Sequence, residues 1–186
     1  MKLICSDFHF QHDKEFIWKE RGFSSVDEMN KEIIRRYNTI IREEDDVYIL
    51  GDCIMGKLDS GLELLKQLKG KKYLAYGNHD TDNRLKAYKE SGMFEDIQMG
   101  YRLSHGKYSL ILTHYPTLVA NREDPKKVWS IHGHTHDKEK FNKSVSKTYN
   151  VCMDAHECFP IDLEEIIKDI KEERIKYEDL KKTLST

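Results

Sequence analysis

The 186-residue sequence predicts a single α/β domain over residues 1–186, without a cap domain. Two observations support this fold class. Short apolar runs of strand length alternate with segments in which apolar residues recur at helical spacing. Several of the runs end at an Asp, Asn or His, as strands around a ligand site often do. A chain of this length can bury one core without disulfides or structural metals.

The first half predicts three strands and three helices. Lys2–Cys5 is a short apolar run that ends just before Asp7, and residues 8–23 read as a loop with one helical turn. Ser25 and Glu28 have the spacing of a helix-capping box, and Gly is a common residue just after a helix. The predicted strands are 2–5, 47–50 and 73–76, and the predicted helices are 25–41, 58–68 (ended by Gly70) and 82–91 (ended by Gly92).

The second half contains more strands. His105-Gly106 is a turn signal between two segments of strand character, and two prolines and many polar residues indicate a loop at 116–127. A charged helix with apolar residues at helical spacing closes the sequence. The predicted strands are 94–104, 107–113, 128–131 and 147–153, and the predicted helix is 162–184.

Composition excludes several classes of protein. Lys and Arg total 31 against 33 Asp and Glu, a formal charge of −2, which is too neutral for bulk attraction to duplex nucleic acid or to an anionic membrane. No apolar stretch reaches the ~18 residues of a membrane span, and the N-terminus lacks the apolar core of an export signal. The four cysteines form no CxxC pair, so we expect thiols and a cytoplasmic protein.

The polar residues at the predicted strand ends form one candidate ligand set. Carboxylate and amide oxygens suit hard cations, and neutral imidazole suits Mn, Fe, Zn or Ni. The set contains more donors than one ion needs, so it predicts two ions bridged by a carboxylate. Neighbouring glycines allow sharp turns close to the ions. The set comprises Asp7, His9, Asp52, Asn78, His79, His114, His134 and His136.

At these residues the sequence resembles the calcineurin-like metallophosphoesterases. Five motif blocks of the family are present in the family's order: Asp7-Phe-His9, Gly51-Asp52, Gly77-Asn78-His79-Asp80, His114 after an apolar run, and Gly133-His134-Thr-His136. Each block alone is weakly specific, but five in order are highly specific. The residues in and around the blocks are similar to those of small bacterial and phage members of the family. The resemblance implies two mixed β-sheets packed as a sandwich flanked by helices, in four layers.

The resemblance also implies roles for the matching residues. Asp7, His9, Asp52 and His136 bind one metal ion, and Asp52, Asn78, His114 and His134 bind the other, so that Asp52 bridges. His79 acts as general acid or phosphate contact, with Asp80 orienting its ring. A metal-bridging hydroxide attacks the phosphorus in line. The expected cofactors are therefore two divalent transition-metal ions, with manganese favoured and iron, zinc or nickel as alternatives.

The resemblance leaves the substrate open. The expected reaction is hydrolysis of a small, nucleotide-like phosphodiester or phosphomonoester, bound by Asn78, His79 and His12. One alternative is a nuclease or RNA-end-processing phosphoesterase, although the charge balance disfavours long duplexes. A second alternative is a non-catalytic metal-binding interaction module. The partners expected are a small phosphorylated substrate and no membrane, with a homodimer left open.

Some residues near the blocks have no assigned role. Cys53 follows the bridging Asp52 directly and is interpreted as a small buried residue. His132 and His156 are either structural or close to the site. The aromatic residues of the 8–23 loop are expected to pack in the core, with a wall for a nucleobase as the alternative.

Overall fold

The computed structural model describes residues 1–118, 127–142, 145 and 147–184, with side chains described as far as residue 176. Most of the predicted 116–127 loop therefore lies outside the described residues. The strands are β1 Lys2–Cys5, β2 Asp46–Ile49, β3 Lys71–Ala75, β4 Asp96–Gln98, β5 Gly100–His105, β6 Tyr108–Thr113, β7 Val128–His132, β8 Thr148–Asn150 and β9 Ile161–Asp162. The helices are α1 Glu15–Trp18, α2 Val26–Ile40, α3 Leu58–Leu65, α4 Asp82–Ser91 and α5 Leu163–Leu184, with a 3-10 helix at Met153–Ala155.

The strands form two mixed sheets, which confirms the predicted architecture. The five-stranded sheet has the order β4-β3-β2-β1-β9, with β9 antiparallel to β1 and the other pairs parallel. The four-stranded sheet has the order β5-β6-β7-β8, with β5 antiparallel to β6 and the other pairs parallel. The strands β1, β2 and β3 therefore end at one edge, and β6 and β7 end together in the other sheet.

Alternation along the strands builds two apolar cores. Leu3 and Cys5 of β1 face helix α2, where they pack with a cluster that includes Met29, Ile33 and Tyr37. Ile4, between them, points to the opposite face and joins the cluster between the two sheets, because successive strand residues face opposite ways. That second cluster also takes in Leu110, Leu112 and Ile131 from the four-stranded sheet and Ile166 and Ile170 from α5.

The structure confirms the predicted start of α2 and the predicted end of α4, but not the predicted end of α3. The Ser25 hydroxyl accepts a hydrogen bond from the Glu28 N–H at 3.1 Å and begins α2. The Glu28 carboxylate accepts from the N–H of Ser24, one residue earlier than a capping box requires. Gly92 ends α4 with a φ angle of 65°, the left-handed conformation that suits glycine after a helix. Helix α3 ends at Leu65, so the predicted helix 58–68 is too long and Gly70 does not end it. Among the helices of the described part, none is both long and apolar enough to span a bilayer.

The structure corrects one long predicted strand. Residues 94–104 form two strands in different sheets: β4 pairs with β3, and β5 pairs with β6. The chain crosses between the sheets at Met99, where the strand pattern continues without a turn signal. The sequence also did not predict β9, whose two residues are too few to show a period. The predicted strand at 147–153 ends at Asn150, and the 3-10 helix follows.

Candidate metal centre

The predicted ligand residues come together where the parallel strands end. Asp7 and His9 follow β1, and Asp52 follows β2. Asn78 and His79 follow β3, His114 follows β6, and His134 and His136 follow β7. One oxygen of Asp52, Oδ2, lies 3.6 Å from Nε2 of His9, 3.5 Å from Nε2 of His114 and 3.9 Å from Nε2 of His79. This carboxylate therefore stands at the middle of the set, as the bridging role requires.

The other donors divide into two groups around Asp52. On one side, Asp7 Oδ1 lies 3.7 Å from Nε2 of His9 and 3.7 Å from Nε2 of His136. On the other side, Nε2 of His114 lies 2.9 Å from Oδ1 of Asn78 and 3.2 Å from Nδ1 of His134. We call the first group the Asp7 side and the second the Asn78 side.

The donor set fits divalent metal ions. Metal–ligand bonds of about 2.0–2.2 Å place neighbouring donors about 3–3.5 Å apart, close to the observed spacings. Asp7 Oδ1 and His9 Nε2 are buried and have no hydrogen-bond partner in the described part of the chain. Such unsatisfied buried atoms are rare in proteins unless an ion or water completes them. The triads Asp7–His9–Asp52 and Asp52–His114–His134 each place their donor atoms within 4.8 Å of one another.

The backbone at the ligands is strained. Five ligand residues have a left-handed φ between 52° and 69°, a conformation that costs a non-glycine residue about 1–2 kcal/mol. Strain of this kind concentrates at functional sites, where the surrounding fold holds it in place. The five residues are Asp7, His9, Asp52, His134 and His136.

Two glycines allow the ligand segments to approach one another. A Cβ at Gly51 would lie 2.6 Å from both the Gly77 nitrogen and Nδ1 of His114, so a larger residue would separate β2 from β3 and from His114. A Cβ at Gly133 would collide with Oδ2 of Asp7. That oxygen accepts a hydrogen bond of 2.9 Å from the N–H of His134, which ties the two sheets together at the site.

Hydrogen bonds fix which imidazole nitrogen faces the centre. The Nδ1–H of His114 donates to the Leu50 carbonyl at 2.8 Å, which leaves Nε2 free to bind a metal. His136 lies 2.9 Å through Nδ1 from Oδ2 of Asp154, and its Nε2 faces Asp7. Such a hydrogen bond at Nδ1 fixes the orientation of the ring, so that Nε2 faces the centre.

Electrostatics at Asp52 favour the charged ligand. Burial opposes ionisation of Asp52, but the nearby His9 and His114 rings hold the pKa of Asp52 below its ordinary value. The same balance holds for Asp7, where burial is outweighed by His9 and His136 and the pKa is again lowered. Both carboxylates are therefore ionised at neutral pH and available as anionic ligands.

Asp80 has a different role from the one expected. Its carboxylate accepts hydrogen bonds from the N–H groups of Asp52, Gly77 and Cys53 at 2.8, 2.9 and 3.2 Å and from the Tyr88 hydroxyl at 3.2 Å. These four contacts occupy the carboxylate, and none of them involves the ring of His79. The expectation that Asp80 orients that ring is therefore corrected: Asp80 fixes the backbone of the two ligand loops instead.

His79 and His12 lie at the open face of the site. The side chain of His79 is 41% exposed, and its backbone is held by Asp52 Oδ1 at 2.8 Å and by Arg84, which donates to its carbonyl at 2.6 Å. His12 stacks on His9 with ring centroids 5.2 Å apart and Nδ1 atoms 2.9 Å apart. Burial, with His9 and His79 nearby, lowers the pKa of His12 to about 4, so this imidazole is neutral at pH 7.

Sequence reasoning missed two residues of the site, Arg21 and Asp154. Arg21 lies between α1 and α2, and Asp154 lies in the 3-10 helix. The two residues form a bidentate ion pair of 3.0 and 2.8 Å. An Asp separated from its Arg by 133 residues gives no local signal that could have identified the pair.

The residues without an assigned role lie outside the ligand set. Cys53 is fully buried in the core beside α2 and, like the other three cysteines, is a free thiol. His132 is buried and donates through Nδ1 to the Gly133 carbonyl at 2.9 Å. His156 stacks on Tyr149 and contacts the Asn150 carbonyl at 2.8 Å. In the 8–23 loop Phe8, Phe10 and Phe23 are buried, as expected, whereas Phe16 is exposed.

Comparison with known families matches the motif blocks. A family profile described as the calcineurin-like phosphoesterase superfamily domain matches residues 1–151. The match includes all five blocks and both sheets except β9.

Relatives cover most of the chain. An uncharacterized protein of Methanocaldococcus jannaschii, MJ1445, is 32% identical over 180 residues, with 92% of each chain covered. Gene 66 protein of Mycobacterium phage L5 is 26% identical over 158 residues, which cover 72% of this chain and 76% of the phage protein. Among solved structures, the protein of unknown function AQ665 from Aquifex aeolicus has a TM-score of 0.68 at 26% identity, covering 90% of this chain and 98% of that chain.

Proposed function

Because the chain belongs to the calcineurin-like phosphoesterase superfamily and is a metal-dependent phosphoesterase, we propose that it hydrolyses a small phosphodiester or phosphomonoester at a centre of two divalent metal ions. The observation that carries the proposal is the position of Asp52. Its Oδ2 lies within 3.9 Å of ring nitrogens of three histidines from three different segments. A carboxylate in that position is suited to bridge two ions.

The proposed ligand assignment follows the two sides of the centre. Asp7, His9 and His136 hold one ion, Asn78, His114 and His134 hold the other, and Asp52 bridges them. When bound, such a pair supplies positive charge for the phosphoryl oxygens and acidifies water for attack on phosphorus. Manganese, iron, zinc and nickel all suit a site of mixed oxygen and imidazole donors.

His79 is the proposed general acid. Its ring is exposed beside Asp52, while its backbone is held at both the N–H and the carbonyl. A fixed, solvent-facing imidazole can deliver a proton to the leaving oxygen of a bound phosphoester. His12, neutral and next to His9, is the proposed hydrogen-bond partner of a substrate phosphoryl oxygen.

Activity assays with paired leaving groups test this assignment. In the manganese-loaded protein we expect Asp52→Asn to lower kcat/KM for bis(p-nitrophenyl) phosphate by about 10³-fold. His79→Gln should slow alkyl esters about 10²-fold or more, since they need a proton on the leaving oxygen, and p-nitrophenyl esters much less. Asp169→Asn removes a partly buried carboxylate bound to Lys140 and Tyr149 and is the matched control.

The assays can reject the enzyme or the role of one residue. If the protein shows no turnover with manganese, iron, zinc or nickel, the proposed hydrolase is wrong and the interaction module gains support. An equal loss for alkyl and p-nitrophenyl esters in His79→Gln would reject the general acid alone.

Two exposed aromatic residues support a substrate with a planar group. Phe16 is 66% exposed and meets the edge of His12 with ring centroids 5.8 Å apart. Tyr115 is 49% exposed, and the centroid of its ring lies 4.6 Å from that of the His134 ring. Exposed aromatic rings next to a phosphate site offer stacking surfaces, and stacking with a base contributes about 1–3 kcal/mol in protein–nucleic acid contacts. We therefore propose a nucleotide-like ester as the substrate class.

Two esters with the same leaving group test the substrate class. Thymidine 5′-p-nitrophenyl phosphate and methyl p-nitrophenyl phosphate differ only in the group that the phosphate retains. Phe16→Ala or Tyr115→Ala should lower kcat/KM for the thymidine ester about tenfold and leave the methyl ester unchanged. Met99→Ala, which truncates another exposed apolar side chain, is the control. Equal kinetics of wild type and both variants on the two esters would argue against a planar substrate.

A further inference from the structure

The ion pair of Arg21 and Asp154 has no place in the proposed chemistry, yet it is one of the most buried charge pairs described. The Arg21 side chain is 1% exposed and the Asp154 side chain 9%. We propose that Arg21 and Asp154 are positioning residues that set the metal affinity of the Asp7 side through His136 and the Asp7 backbone. The inference rests on the proposed two-ion centre.

The first contact of the pair orients His136. Asp154 Oδ2 lies 2.9 Å from Nδ1 of His136, so the carboxylate takes the Nδ1–H and leaves Nε2 unprotonated toward Asp7 Oδ1. The same oxygen also accepts from Arg21 at 2.8 Å and from the Cys152 thiol at 3.2 Å. With three donors on one oxygen, Asp154 cannot swing in to become a metal ligand itself. It therefore acts on the centre through the ring of His136.

The second contact of the pair holds the segment after β1. The guanidinium of Arg21 donates to the carbonyl of Asp7 at 2.8 Å and to the carbonyl of Phe8 at 3.0 Å. These carbonyls belong to the stretch in which Asp7 and His9 have left-handed φ angles of 59° and 52°. One side chain thus joins the segment that carries these two residues to the acceptor that orients His136. A planar guanidinium with five donors can make this set of contacts, whereas a lysine cannot.

The contacts of the pair lie on one side of the centre. His114, on the Asn78 side, is oriented by the Leu50 carbonyl, and the backbone of His79 is held by Arg84 and Asp52. In the part of the chain that the structure describes, neither Arg21 nor Asp154 forms a hydrogen bond or ion pair with these residues. Loss of the pair should therefore weaken one ion selectively. Removal of such an outer partner of a metal-binding His typically costs 10–100-fold in affinity.

Calorimetric titration of metal-free protein with Mn²⁺ measures this selectivity. Wild type should bind two ions, and Asp154→Asn should weaken one of them 10–100-fold while the other stays within about twofold. Arg21→Lys keeps the charge but loses the bidentate fork, and should weaken the same ion. The control Asp169→Asn should bind both ions like wild type. Equal affinities in wild type and Asp154→Asn, or equal weakening of both ions, would overturn the inference.

The tautomer of His136 provides a readout that needs neither metal nor a change at Arg21 or Asp154. In metal-free wild type at pH 8, two-bond proton–nitrogen correlations of the imidazole should show Nδ1 protonated and Nε2 unprotonated, with the signal identified by its loss in His136→Gln. The opposite tautomer in wild type would overturn the inference even if the variants fail to fold. If wild type binds no Mn²⁺ but shows the expected tautomer, the two-ion function fails and the orienting contact stands.

Discussion

The two sides of the proposed metal centre are held by two carboxylates outside the proposed ligand set, and these carboxylates work in different ways. Asp80 supports the Asn78 side by accepting three backbone N–H groups and the Tyr88 hydroxyl. In the described part of the chain no Lys or Arg pairs with it. Asp154 supports the Asp7 side through side chains, because it pairs with Arg21 and orients His136. Asp80 fixes the backbone of two loops, and Asp154 orients the ring of His136.

The difference appears in the acidity of the two groups. Burial raises the pKa of Asp80 above its ordinary value, against the hydrogen bonds from the Gly77 and Asp52 backbones. Burial also disfavours the charged form of Asp154, but the contacts with His136 and Arg21 outweigh it and lower the pKa of Asp154. A neutral set of backbone donors only partly replaces water around a carboxylate, whereas a buried cation compensates the charge directly. The two sides should therefore respond differently to mutation.

The largest expected effect is on the free energy of unfolding, and it distinguishes Asp154 from Asp80. Asp154→Ala leaves the Arg21 charge buried without its partner and should lower the free energy of unfolding by about 3–5 kcal/mol. The double variant Arg21→Met with Asp154→Ala should recover part of that loss, because an apolar pair avoids the uncompensated charge. Equilibrium unfolding of the metal-free proteins in urea measures both. A double variant no more stable than Asp154→Ala would contradict the charge-pair account.

Asp80 provides the contrasting half of this experiment. Asp80→Ala leaves three buried N–H groups without an acceptor, at about 1 kcal/mol or more each, so a loss of roughly 3 kcal/mol is expected. Adding Tyr88→Phe should give no recovery, since the N–H groups of Asp52, Gly77 and Cys53 remain unpaired. Recovery of stability in that double variant would show that Asp80 stabilises the protein through the Tyr88 hydroxyl and not through the backbone N–H groups.

The same comparison shows what the sequence can and cannot predict. The ligands were predictable because each stands directly after a short apolar strand, in motif blocks that occur in order from Asp7 to His136. Asp80 was found for the same reason, but its role was not, because adjacency to His79 in sequence says nothing of where the carboxylate points. Arg21 and Asp154 meet only through the fold. The sequence likewise predicted β4 and β5 as one strand, because the residue pattern of a strand does not indicate which other strand it pairs with.

The smallest expected effect concerns the support of Asp154 itself. His156 follows the 3-10 helix that carries Asp154, and its ring lies on Tyr149 with Nε2 2.8 Å from the Asn150 carbonyl. Burial lowers the pKa of His156 below its ordinary value, against that hydrogen bond. The folded protein therefore keeps this ring neutral at a pH where the unfolded chain already takes up a proton. No titrating histidine holds Asp80 in this way among its described contacts.

The sign of the resulting pH dependence follows from linkage. The stability contributed by a neutral His156 is complete above its unfolded pKa of about 6.5 and falls as the pH decreases below that value. One proton changes the free energy of unfolding by at most ~1.4 kcal/mol per pH unit. Between pH 7.5 and 5.5, metal-free wild type should therefore lose more stability than His156→Gln, by at most ~1.4 kcal/mol. The Gln side chain keeps a donor for the Asn150 carbonyl but does not titrate. His105→Gln, at the end of β5, is the control. Urea unfolding measures the free energy of unfolding of wild type and His156→Gln at each pH, and the two proteins share every other histidine. If the two curves of free energy against pH are parallel, protonation of His156 does not destabilise the segment that carries Asp154.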